Sequence, residues 1–76
     1  RPALRRAVAA AAQGVSGGDE VYVAVRGNVI RLHVRTGMRD AVGLPGEVTA
    51  AVERRLEELA PLCSIRILTH VRYAEG

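Results

Sequence analysis

Seven side chains on alternating segments, Arg26, Arg31, His33, Arg35, Arg66, His70 and Arg72, hold most of the chemistry open to this 76-residue chain. Guanidinium stays charged at any physiological pH and makes bidentate pairs with carboxylate or phosphate, so five arginines on one face of alternating strands could grip oxyanions. The two histidines could share a metal ion. A zinc site takes three or four protein ligands, however, and no Cys or acid is clearly placed to complete one. Neither a metal nor any other cofactor is therefore expected. Hydrolytic chemistry fares no better, because Ser16 and Ser64 lie at element edges with no nucleophile-elbow motif and no base of predictable geometry. The expectation is a protein without catalytic activity.

Two further signals have a functional and a plain reading. Gly43-Leu44-Pro45-Gly46 matches the Gly-x-x-Gly pattern of the RNA-binding KH domain, but in that domain the loop joins two helices and usually offers a basic residue. A Gly/Pro entrance to a helix explains the same four residues. Arg1, Arg5 and Arg6 crowd the start of a helix, where the helix dipole disfavours them and no acid offsets them. Juxtamembrane arginines beside anionic lipid would account for the cluster, as would a solvated helix whose start lies upstream.

The elements that position these residues follow from periodicity. Leu4, Val8, Ala11, Ala12 and Val15 recur at helical spacing, giving a first helix over about Pro2 to Gln13. Val21, Val23 and Val25 alternate with polar or small residues, and Ile30, Leu32 and Val34 do the same after a Gly27-Asn28 turn. A two-residue turn sets the register. It places Val25 opposite Ile30, Val23 opposite Leu32 and Val21 opposite Val34 on one face, and Ala24 opposite Arg31, Tyr22 opposite His33 and Glu20 opposite Arg35 on the other. The last pair is a candidate cross-strand ion pair. Thr36 to Leu44 reads as a loop, and Pro45 opens a second amphipathic helix with Val48, Val52, Leu56 and Leu59 in one stripe, stopped by Pro61. Alternation returns from Ser64 to Tyr73.

The sum is an α+β domain in the order α-β-β-α-β without internal repeats, a two-layer sandwich with both helices on one face of a three-stranded sheet. The expected strand order sets the third strand antiparallel beside the first, with a right-handed βαβ placement beside the second as the alternative. The core is expected at Val23, Val25, Ile30, Leu32, Val52, Leu56, Ile65 and Ile67. The other sheet face is left uncovered and carries the five arginines and two histidines named above. It fits either an ordinary solvated face or a partner-binding surface.

Composition bounds the function. Seventy-six residues make a single domain, which buries only about 60% of the surface its unfolded form exposes, and with Phe and Trp absent the light core favours self-association as a homodimer. All eleven basic residues are arginine and the net charge is +3, which suits acidic proteins or an anionic membrane surface. Nucleic acid is disfavoured, since single-strand binders add stacking aromatics and this face offers only Tyr22. Lone Cys63 excludes an internal disulfide and reads as a small buried hydrophobe. No apolar run approaches the ~18 residues of a membrane span. Because the chain opens Arg1-Pro2 rather than Met, a preceding segment is expected.

The stretch from Val48 through Tyr73, a Val- and Glu/Arg-rich helix (AAVERRLEELAPL) leading into an alternating strand (SIRILTHVRY), resembles the end of the bacterial alkaline-shock protein family. The first helix and hairpin fit that family's pattern as well, and the membrane-anchor branch is the most similar. Departures are the Arg-only basic character and the Gly43 to Gly46 loop. The resemblance implies a non-catalytic role in envelope stress or membrane-associated scaffolding, through self-association and partner binding, at the cytoplasmic side of the cell membrane with the anchor outside these residues. It transfers no functional residue. A small KH-like RNA-binding domain is the alternative expectation.

Overall fold

The computed structural model describes residues 2–74. Its elements are α1 (Pro2–Gln13), β1 (Glu20–Arg26), β2 (Val29–Thr36), α2 (Leu44–Leu59) and β3 (Arg66–Tyr73), the expected α-β-β-α-β order. The β1–β2 hairpin has the register that the turn dictates, from Glu20 opposite Arg35 to Arg26 opposite Val29. Gly27 adopts φ +60° while Asn28 stays at negative φ. Glycine at the first central position is the signature of a II′ turn, whose twist matches that of the flanking strands.

The third strand lies elsewhere than expected. The sheet order is β1-β2-β3, and β3 runs parallel to β2 from Val29 opposite Arg66 to Thr36 opposite Tyr73, so the antiparallel place beside β1 is corrected to the βαβ alternative. Burial explains the preference. The inward side chains of β2, Ile30, Leu32, Val34 and Thr36, are all at most 1% exposed, which requires a strand on each side and helices overhead. Val21, Val23 and Val25 of β1 and Ile67 and Val71 of β3 are only partly buried, as edge-strand residues are. A 16-residue helix also gives the length that a parallel crossover needs.

The core fills the space between this sheet and the two helices. Val8 and Ala12 enter from α1, and Leu44, Val48, Val52 and Leu56 from α2. Ile30, Leu32, Val52 and Leu56 are core residues as expected, whereas Val23, Val25, Ile65 and Ile67 are half-buried and pack against its margin. The span read as a loop contributes more than its composition suggests. Thr36 is fully buried, its hydroxyl accepting from the Met38 N–H at 3.0 Å, and Ala41 is buried beside the helix start. Helix α2 ends at Leu59, ahead of Pro61. Cys63 is exposed rather than buried, because it lies in the turn between Pro61 and β3, beyond the cover of α2.

Candidate basic sheet face

The outer sheet face is built by parity. With Ile30, Leu32 and Val34 committed inward, Arg31, His33 and Arg35 must point outward, and the exposed positions of β1 and β3 fall beside them. Four rows result from the two registers: Arg26, Val29 and Arg66; Ala24, Arg31 and Leu68; Tyr22, His33 and His70; Glu20, Arg35 and Arg72. All seven residues proposed from the sequence are therefore exposed on one surface, in adjoining rows. Five guanidiniums stand against one carboxylate, Glu20, so this face more than accounts for the chain's net charge of +3. The rest of the molecule is close to neutral.

Local contacts order one end of this surface. The Arg35 Nη1 lies 3.5 Å from Glu20 Oε1, with both side chains about half exposed, so the expected cross-strand pair forms but is long and solvated, and worth little by itself. Tyr22 donates its hydroxyl hydrogen to the other carboxylate oxygen, Glu20 Oε2, at 3.0 Å. That bond, reinforced by the carboxylate charge and only partly offset by Arg35, raises the Tyr22 phenol above its ordinary pKa of 10.0. His33 and His70 sit directly opposite each other, their rings 5.4 Å apart between centroids and inclined by 16°. This is an offset stack within the usual range for aromatic pairs. Tyr22, His33, Arg35, His70 and Arg72 rim a shallow depression of about 600 Å³.

One signal for this arrangement lay in the sequence unread. The tripeptide His-Val-Arg occurs twice, at His33-Val34-Arg35 and at His70-Val71-Arg72, and the parallel ladder sets the two copies side by side in register. Equal triplets ending two strands joined by a helix are what an in-register parallel pair would show.

The remaining candidates lie apart from this face. Gly43 is the residue before α2 and Leu44, Pro45 and Gly46 form its first turn; the element immediately ahead of them is β2, so they do not join two helices as the KH loop does. Arg5 and Arg6 are exposed on α1, and Arg1 lies outside the described residues. Among the described residues no group of three or more His, Cys, Asp or Glu is placed to hold a metal ion. No helix among them is long and apolar enough to cross a membrane.

With fold and face defined, the chain can be set beside known proteins. Residues 1–72 match a family described as of unknown function, DUF6286, and the chain belongs to that family. No curated protein matches it. Solved structures of the MamM C-terminal domain share the fold. The nickel form of an Asp-to-Asn variant is 16% identical with a TM-score of 0.63, covering 99% of this chain and 100% of that one. The zinc form of that variant is 15% identical with a TM-score of 0.64, over 99% of this chain and 87% of the other. The copper form of an Asp-to-His variant is 16% identical with a TM-score of 0.62, over 97% and 98%.

Proposed function

We propose that this domain is a non-catalytic interaction module whose outer sheet face docks onto an acidic surface of a partner protein. The observation that carries the reading is the concentration of five guanidiniums against one carboxylate on a face that no element among the described residues covers. Such a face raises the local concentration of an acidic partner and fixes its orientation more than it supplies raw affinity. The family resemblance seen in the helix and strand from Val48 to Tyr73 adds a setting: a membrane-associated protein of alkaline-shock-like type, serving envelope stress or scaffolding.

Other occupants suit the face less well. The MamM structures are named as nickel, zinc and copper forms, but the donors here are two imidazoles beside guanidiniums, a set with too few ligands and the wrong charge for a cation. An RNA-binding role, the alternative from the Gly-x-x-Gly match, would want bases stacked on aromatic rings, and besides its imidazoles the face carries Tyr22 alone.

A poly-glutamate peptide serves as the probe. Fluorescence anisotropy should show binding that weakens with added salt, because exposed charges are screened over ~10 Å at 0.1 M. Charge reversal at Arg26, Arg31 and Arg66 should remove most of it while the circular dichroism spectrum stays unchanged. Binding that is indifferent to these reversals would make the face a solvated surface only.

A further inference from the structure

We infer that His33, Arg35, His70 and Arg72 together form a binding site for the dianionic oxyanion of a soluble phosphate monoester. This deepens the reading of the face as an anion-docking surface and rests on it. The two copies of His-Val-Arg put the four side chains at the corners of a rectangle: neighbouring strands lie about 4.8 Å apart, and residues two apart along a strand about 6.6 Å. A tetrahedral oxyanion fits over such a rectangle. Along the long edges each histidine is followed by an arginine, and across the short edges like residues face each other.

The donor chemistry matches one ligand class. Each guanidinium offers up to five N–H groups in a fixed fork, and an imidazole offers at least one N–H in either protonation state. None of the four side chains carries a carboxylate or other obligate acceptor. Two guanidinium charges at directly paired positions repel each other unless an anion lies between them, and a dianion neutralises both. Glu20 meets only one edge of Arg35, at 3.5 Å, and is itself held by the Tyr22 hydroxyl. Among the described residues Arg72 has no acidic partner. The depression above these residues, about 600 Å³, is on the scale of a small-molecule site. A site so open to water gives millimolar rather than micromolar affinity.

The test is a titration of the ¹⁵N-labelled chain with glycerol 1-phosphate at constant ionic strength, followed by amide chemical shifts. Saturable shifts confined to residues 33–35 and 70–72 are expected. Arg72→Gln should weaken binding about tenfold, the size of one lost charge-assisted hydrogen bond, and Arg72→Lys, which keeps the charge but not the fork, should fall between. Arg5→Gln, on α1 and away from this face, should change the affinity by less than about threefold. If instead the shifts are non-saturable, or spread over all five arginines, the site does not exist, while salt-sensitive binding of poly-glutamate would still support the docking face. Loss of both would remove both proposals. Binding to phosphatidic acid vesicles without saturable binding of glycerol 1-phosphate would overturn the soluble ligand in favour of a lipid headgroup.

Discussion

Two small hydrogen-bond chains show what single residues contribute here. On the outer face, the Tyr22 hydroxyl and the Arg35 guanidinium share the Glu20 carboxylate. Because the phenol is held protonated above its ordinary value, its contribution to stability is fully present below pH 10.0 and is lost as pH rises through the folded-state value. The ultraviolet difference between wild type and Tyr22→Phe should therefore place this ionisation above 10, and Glu20→Gln should bring it back towards the ordinary phenol. At the helix layer, Thr49 donates its hydroxyl hydrogen to the Pro45 carbonyl at 2.8 Å, so the 2.7 Å contact between Thr49 and Thr69 must have Thr69 as donor. Thr49→Val strands that donor and should cost about 1–3 kcal/mol by urea denaturation. The Glu20–Arg35 pair was legible from the two-residue turn, since the turn fixes the register. The Thr49–Thr69 contact was not, because it joins a helix to a strand whose place in the sheet the pattern left open.

Among the elements, each strand and helix could be read from its period, but β3 could not be placed by period alone. An inward row of Ile67, Thr69 and Val71 fits beside either neighbour, and alternation carries no information about strand direction. What decides is which strand must be central, and that depended on how deeply Thr36 and Val34 are covered. The Thr36 to Leu44 segment concealed this: its Gly and charge suggested a surface loop, yet Thr36, Ala41 and Leu44 are all buried. The α2 stripe, by contrast, was plain from the sequence through Val48, Val52 and Leu56, although Leu59, read as its last member, is exposed at the helix end. Leu56, at 6% exposure, sits near its end, and Leu56→Ala should cost about 2–5 kcal/mol in chemical denaturation, the usual range for a buried leucine. A cost near zero would show that the end of α2 does not hold the core.

The whole molecule is polarised by charge, with a strongly basic sheet layer and a nearly neutral remainder. Both β1 and β3 are edge strands, and open edges invite pairing with a second copy. Sedimentation at high micromolar concentration is expected to show a dimer. If the edges make it, reversal of Arg31 and Arg66 should leave it intact, because those side chains stand on the face. A dimer formed through the face would have to bring five guanidiniums against five, so added salt would strengthen it. The basic surface itself was legible in the sequence because its residues alternate strictly with aliphatic ones. Its inner order was not, since pairing His33 with His70 required knowing that β3 runs parallel to β2.

The parallel ladder also has a temporal consequence. The hairpin joins residues near in sequence and can close early, whereas β3 meets β2 only after the whole of α2 has been traversed, so its docking is expected to come late and to be the first to open. Transient detachment of β3 would carry His70 and Arg72 away from His33 and Arg35, so the four-cornered arrangement exists only while that strand is docked. Amide exchange should accordingly be faster in β3 than in β2. An anion that bridges the two strands should slow it selectively, making the lifetime of the closed sheet a direct report of occupancy.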